Sequence, residues 1–525
     1  MRNDRNRLAM VLVMALGVAL AATQVFATSL RAADGQQAQA AAPATQSAAA
    51  TQSAPAAQSS AATPSDSHYQ SYPDDPRLAK AYRFDRGGWT YVHLEGTPYD
   101  LGYQHGYLLA NEIADAFAAV SLEMTHASGR DWDFFRRAAH EMIWHRIDPE
   151  YQAELQGIVG GLEAQKVKLD IDDIVAMNGF MELADYYVPW LNSVTKAANP
   201  PNLKAPEACS AFVATGSWTK GGQIVMAHNN WTSYADGERW KIVFDIMPDK
   251  GYRMLMDGFP GVIVSDDDFT INSAGLMVTE TTITDFHGWD PTGKAEFVRA
   301  RKAMQYAGSI DDFVKIMLDG NNGGYANDWL LGDRKTGEIA RFENGLKHTK
   351  VWRTKDGYFV GSNFASDPDV LKDETTFDSA NMAASANARH VRWDQLMAEN
   401  KGKIDTTMAE AFESDHYDSY AKKETTGNRR TLCGHGDAET PGDPTNEKEP
   451  FRPSGAVQAK VTDSKMAEAM SFIARIGHPC GTNFNATKFL EEHTDYSWQA
   501  PVLRDMNAGP WTQFKAGDHA AQAAQ

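Results

Sequence analysis

The chain is 525 residues long, 42% hydrophobic and 23% charged, with a formal net charge of -19. An acidic balance of that size disfavours nucleic acid and anionic membrane surfaces as partners and otherwise serves solubility. Its three cysteines leave one thiol over after any single disulfide.

Arg2, Arg5 and Arg7 precede an apolar run from Leu8 to Ala22, and small residues follow around Val25-Phe26-Ala27. That order reads as a secretory signal peptide over residues 1–27. The rest of the chain is then expected to be secreted or periplasmic, with no stable membrane insertion once the leader is gone. Residues 28–70, rich in Ala, Gln, Ser, Thr and Pro, cannot offset their own ordering entropy and read as a disordered linker. Roughly 450 residues remain for folded structure.

From Tyr99 to Leu203 apolar residues recur at three and four, as in YDLGYQHGYLLANEIADAFAAV and EYQAELQGIVGGLEAQ. This predicts helices without strands, within a helical N-terminal segment set at 71–208. KAANPPNLKAPEA then interrupts the periodicity with three prolines and reads as an exposed, readily cut linker.

Beyond it the period becomes two, and residues 209–525 read as the main folded chain. SAFVATGSW, a TKGG turn and QIVMAHNNW predict a hairpin that starts at Cys209. RWKIVFDIMP, YRMLMDGFPGVIVS, FTINSAGLMVTETTI, NDWLLGDRKTGEIARFEN and KVWRTKDGYFVGSN continue an antiparallel sheet. Helical periodicity returns in KAEFVRARKAMQYA, SIDDFVKIMLDG, NARHVRWDQLMAEN and SKMAEAMSFIARIG. Strands in succession with helices in blocks predict a layered α+β fold.

Cys433 in TLCGHGD and Cys480 in IGHPCGT are the natural disulfide pair in an oxidising compartment. A zinc site from Cys433, His435, His478 and Cys480 has acceptable ligand types, but neither half carries Cys-x-x-Cys spacing, so no metal is assigned. Cys209 is left free. A free thiol in an exported protein is either buried as a small hydrophobe or used. Cys209 follows small Ala208 at the junction of the proline-rich linker and the first strand. A residue that starts one strand of a hairpin lies across from residues that end the other, so Cys209 and the His228 region are expected to meet. Two bases suit such a thiol: the His228 imidazole, or the α-amine of Cys209 itself were it an N-terminus, with a pKa of about 8.

GTPYDLGYQHGYLLANEI, YQAELQGIVGGLEAQ with DIDDIVAMNGF, CSAFVATG, the AHNNW strand end and PSGAVQAKVT resemble the phospholipase B-like proteins. These are relatives of the isopenicillin acyltransferase and choloylglycine hydrolase families within the N-terminal nucleophile hydrolases. The resemblance runs from about Tyr91 to Trp511 and implies a four-layer αββα sandwich whose precursor cuts itself at Ala208-Cys209. It implies roles for His228 and Trp231 beside the nucleophile and for Thr281 near the reacting centre. Asn363 would be the oxyanion donor, with Asn272 as a weaker candidate, and Arg389 or Arg392 the cation that favours the thiolate. Choloylglycine relatives have Arg and Asp where this chain has His228 and Asn230, which argues against bile salts. The expected activity is hydrolysis of an acyl amide or ester in a small-molecule or lipid substrate, without a cofactor. Acyl transfer to an amine, peptide amidase activity and a non-catalytic binding role are the alternatives.

Overall fold

The computed structural model describes residues 67–197, 209–265, 269–438 and 451–519. The expected signal peptide, most of the linker after it and the segment ending in Ala208 lie outside the described residues. Among them, no helix is long and apolar enough to cross a membrane.

Two large sheets organise the chain. The ten-stranded sheet runs in the order β1 (Ser67–Ser71), β2 (Tyr82–Arg86), β3 (Trp89–Gly96), β6 (Ile242–Pro248), β7 (Met254–Gly258), β8 (Thr270–Asn272), β9 (Leu276–Thr282), β10 (Asn327–Asp333), β11 (Glu338–Asn344) and β12 (Thr349–Thr354). The six-stranded sheet runs in the order β13 (Gly357–Gly361), β4 (Ser210–Gly216), β5 (Gly222–Ser233), β16 (Ser454–Asp463), β17 (Ser471–Ile476) and β18 (Thr512–Lys515). A two-residue ribbon, β14 (Tyr417–Asp418) with β15 (Lys423–Glu424), sits apart. Pairings in the large sheet are antiparallel except β3 with β6, which are parallel.

The alternating sequence pattern sorts side chains between two faces. Ala211 and Val213 of β4 join Leu255, Met277 and Leu330 of the large sheet in one buried cluster. Phe212 and Ala214, one residue out of phase, pack with Trp393, Met397 and Phe412 of the helices Ser385–Glu399 and Thr406–Glu413. The opposite face of the large sheet, with Phe244, Val278 and Trp329, buries helices of the N-terminal segment.

Within that segment the helices Pro98–Leu108 and Pro149–Ala164 meet backbone to backbone. A Cβ on Gly102 would stand 1.8 Å from the Glu154 carbonyl oxygen, and one on Gly157 would stand 2.3 Å from that of Tyr99. Small residues are therefore required at the crossing, which accounts for the spaced glycines in both runs.

Three features differ from the sequence reading. The last residues of the expected disordered linker form β1, which pairs with β2, and the N-terminal segment carries β2 and β3, which form a tight hairpin, with β3 joining the large sheet beside β6. SKMAEAMSFIARIG is helical only over Ser464–Glu468. Its second half is β17, because Ser471–Ile476 gains backbone partners on both sides, β16 and β18, that its ambiguous apolar pattern could not announce. KVWRTKDGYFVGSN is two strands that do not pair with each other: β12 ends the large sheet, and β13 crosses to the small one beside β4.

Candidate active site

The crossing of β13 to the second sheet assembles the site. In the β4–β5 hairpin Ser210 pairs with Asn229 and Ala211 with His228, so the start of β4 lies beside the polar stretch His228–Asn230 as the hairpin spacing predicts, although β5 does not end there but runs on to Ser233. β13 pairs Gly361 with Ala211, which delivers Ser362 and Asn363 to the same corner. The end of β9 arrives from the large sheet, where a Cβ on Gly361 would stand 2.6 Å from Thr281 Oγ1.

Cys209 stands at this junction with its side chain buried and φ at +74°, a left-handed conformation that costs a non-glycine residue of order 1–3 kcal/mol. Its Sγ, a ring nitrogen of His228 and a carboxylate oxygen of Glu280 all lie within 4.8 Å of one another. Glu280 is itself held: Tyr325 donates its hydroxyl to Oε1 at 3.2 Å. The Asn327 amide, assigned with its nitrogen toward the carboxylate, donates to Oε2 at 2.9 Å. A buried acid with two such donors is a positioned group and costs far less than an unpartnered one.

Arg389, wholly buried in the helix Ser385–Glu399, ties the corner together. Nη1 donates to the Cys209 carbonyl oxygen and, at 3.0 Å, to Ser210 Oγ. Nη2 donates to Asn363 Oδ1 at 2.8 Å, and Nε to Ser385 Oγ at 3.0 Å. The guanidinium lies 4.4 Å from the Trp231 ring centroid, a cation–π contact that supplies the remaining face. Trp231, Cys209 and Ala456 form a small apolar cluster of their own. The planar fork of Arg389 thus fixes the main chain at the thiol; a lysine could not make the same set of bonds.

Asn363, also at positive φ (+65°), donates one amide hydrogen to the Thr282 carbonyl at 2.7 Å and accepts from Arg389. Its amide carries a second hydrogen, the kind of donor an oxyanion uses. Thr281 Oγ1 is buried with no hydrogen-bond partner among the described residues. Across the strand from His228 stands Lys460, fully buried and ion-paired at 3.0 Å with Asp257, whose carboxylate also accepts from Gln458 and Ser265.

The arrangement therefore brings together Cys209, His228, Trp231, Thr281, Asn363 and Arg389, and it separates three other candidates. Asn272 spends both amide hydrogens on the carbonyls of Met304 and Ala307, at 3.0 and 2.9 Å, and its oxygen on the Leu276 amide. It closes the C-terminus of the helix Glu296–Tyr306 and has no hydrogen left for an oxyanion. Arg392 forms a two-pronged ion pair with Asp415, at 2.9 and 2.6 Å, and serves the adjoining loop; of the two arginines, Arg389 reaches the site. The expected disulfide is not formed, because Cys433 and Cys480 are both free thiols facing imidazoles. Burial pushes the Cys433 thiol well above its ordinary pKa, while hydrogen bonds, that from Cys433 first, hold the Cys480 thiol far below it.

Sequence reasoning passed over Glu280 as a site residue. The signal was present: an acid inside MVTETTI, a run otherwise fit for complete burial, is expensive unless it is used.

A family model described as Phospholipase B matches residues 101–353, a span that begins in the glycine-bearing helix Pro98–Leu108 and includes Cys209, His228 and Glu280. An uncharacterized protein of Archaeoglobus fulgidus is 25% identical over 278 residues, covering 50% of this chain and 44% of that one. From Caenorhabditis elegans, "Putative phospholipase B-like 3" is 24% identical over 397 residues (64% of each chain), and "Putative phospholipase B-like 1" is 25% identical over 409 residues (70% of this chain and 69% of that one). The matched regions thus span between 44% and 69% of those relatives' lengths. The chain is thus similar to phospholipase B-like proteins over this region.

Proposed function

We propose that this protein is an exported, self-processing cysteine hydrolase of the N-terminal nucleophile type, built as an αββα sandwich, that removes an acyl chain from a polar head by cleaving an ester or amide. The observation that carries the reading is the convergence of the Cys209 thiol, His228 and Glu280 at the start of β4, with Arg389 bound to the Cys209 carbonyl. Similarity to the phospholipase B-like proteins supports hydrolysis, and the relatives' names point to lipid acyl substrates. The two packed sheets with helices against their outer faces support the sandwich.

Processing starts when the thiol of Cys209 gives up its proton, with His228 as the acceptor in reach, and the sulfur attacks the carbonyl carbon of Ala208. The tetrahedral adduct collapses with rupture of the C–N bond. The nitrogen keeps its own hydrogen, takes up the proton held by His228 and becomes the α-amine of Cys209, and Ala208 is left as a thioester that water hydrolyses to a carboxylate, which frees the thiol. The left-handed backbone at Cys209 places strain beside the bond to be broken, which lowers the cost of leaving the planar amide. In the intact chain the thiol is only 1% exposed, so cleavage also serves to open the site.

In turnover the freed amine takes the thiol proton, and the sulfur attacks the acyl carbon of the substrate. The developing oxyanion is met by the second amide hydrogen of Asn363, and the protonated amine returns its proton to the departing head group. Water, deprotonated by the same amine, then releases the fatty acid. Glu280 orients His228, and Arg389 holds the carbonyl of Cys209 and the amide of Asn363 in register.

The reading is tested with the purified exported protein and an acyl-ester phospholipid beside an N-acyl amide of equal chain length. Release of fatty acid by wild type, with none from Cys209→Ala, is expected, together with trapping of a hydroxylamine-sensitive acyl thioester. Hydrolysis undiminished by Cys209→Ala would overturn it.

A further inference from the structure

A second meeting of sulfur and imidazole lies in irregular chain on the far side of Trp231. The Sγ atoms of Cys433 and Cys480 and one ring nitrogen each of His416 and His435 lie within 4.8 Å of one another. His435 Nε2 stands 3.3 Å from Cys433 Sγ and 3.5 Å from Cys480 Sγ. His416 Nε2 is buried. We propose that His416, Cys433, His435 and Cys480 form a structural site for one zinc-type divalent cation, separate from the Cys209 site.

The geometry fits. A tetrahedral cation with bonds of about 2.3 Å to sulfur and about 2.0–2.1 Å to nitrogen sets its ligands roughly 3.4–3.8 Å apart along each edge. The two sulfur–nitrogen separations at His435 are close to that edge length. Thiols buried merely as hydrophobes need at most one partner each, whereas here four soft or borderline donors from three separate segments converge on one point. Two thiolates would cancel the double positive charge, so the buried site would need no further counter-ion. On binding, the two thiol protons pass to solvent. Supporting groups flank the ligands: Asp437 Oδ1 stands 4.0 Å from His435 Nδ1, and Thr482 Oγ1 stands 3.1 Å from Cys480 Sγ.

The three segments are the loop after the helix Thr406–Glu413, the Leu432–His435 turn and the turn after β17. The middle one floors the Cys209 site. Asn229 donates to the Leu432 carbonyl at 2.9 Å, the Ala456 amide donates to that of Gly434 at 3.0 Å, and a Cβ on Gly434 would stand 2.3 Å from the Trp231 indole. A cation at this point would lock the surface against which Trp231, and through it Arg389, is seated.

The test uses the full exported protein purified without chelator and with its thiols protected from air. Elemental analysis is expected to find one zinc per chain. After removal of metal with dipicolinate, cobalt chloride is expected to restore binding with the visible ligand-field bands of tetrahedral cobalt and thiolate-to-cobalt charge-transfer absorption. Cys480→Ser and His416→Ala are each expected to weaken zinc binding by at least about 10-fold and to abolish or shift those bands, whereas Cys209→Ala leaves both readouts unchanged. The wild-type cobalt spectrum needs no variant, so a variant that fails to fold does not decide the matter. Peptide mapping that finds Cys433 joined to Cys480, or a folded apo-protein that takes up neither zinc nor cobalt, would overturn the proposal.

Discussion

The molecule holds two places where a buried thiol faces imidazole, and they are built in opposite ways. Around Cys209 the groups come from regular strands, β4, β5, β9 and the end of β13, with one helix supplying Arg389, whose guanidinium bonds the Cys209 carbonyl. Around Cys433 and Cys480 they come from turns and loops, and the donor atoms lie close to one another. Paired strands fix position and leave the residue at their junction buried and strained; loops converge when something at their centre holds them. The first arrangement suits chemistry and the second suits a staple.

The contrast is open to attack, most severely at Cys209. Cys209→Ala is expected to lower acyl hydrolysis by on the order of 10^4-fold or more, since removing the attacking atom of a covalent mechanism leaves only binding and oxyanion stabilisation. Loss of metal from the second cluster should by contrast lower the melting temperature while leaving the Cys209 thiol able to form its acyl adduct; a chelator that blocked acylation as fully as Cys209→Ala would erase the distinction. Next in size is Asn363→Gly, which keeps the positive φ and deletes the amide: kcat should fall by about 10^2–10^3-fold, about 3 kcal/mol of barrier, with KM little changed. An equal effect from Asn272→Ala on kcat without loss of stability would reassign the oxyanion donor.

A control far from both clusters lies in the helical layer. Gly102→Ala should destabilise the fold by about 1–3 kcal/mol in denaturant unfolding, because its methyl has no room beside the Glu154 carbonyl, yet leave metal content unchanged. The smallest effect is in acid. His105 in the same layer accepts the Gly261 amide proton at Nε2, and burial depresses its pKa to about 3. The unfolded chain therefore takes up the proton first, so stability is full above the ordinary imidazole value of about 6.5 and is lost as pH falls toward 3. Between pH 7 and pH 5.5 the loss should be about 1 kcal/mol, measured as a fall in urea midpoint that His105→Gln removes. An acid loss that persists in that variant would place the sensitivity in one of the thiol–imidazole clusters instead.

What could be read from residues alone follows the same division. Cys209 and His228 were brought together by hairpin arithmetic, because strand period and turn length set register without reference to the rest of the chain. Asn363 and Arg389 rested on resemblance, and their bond to each other depends on β13 changing sheets, a long-range choice with no local signature. Asn272 misled because Asn before Ser-Ala-Gly is good turn chemistry and equally good for closing a helix end, and only the neighbouring carbonyls decide. Cys433 and Cys480 were correctly taken as neighbours, but proximity does not distinguish a sulfur–sulfur bond from a shared cation. His416, in a loop before the ribbon β14, carried no motif spacing to join them.

The most direct measurement is the intact mass and N-terminal sequence of the purified exported protein, run beside Cys209→Ala. A wild-type fragment that begins at Cys209, absent from the variant, is the predicted result. A single uncut chain in fully active wild-type protein would contradict the account.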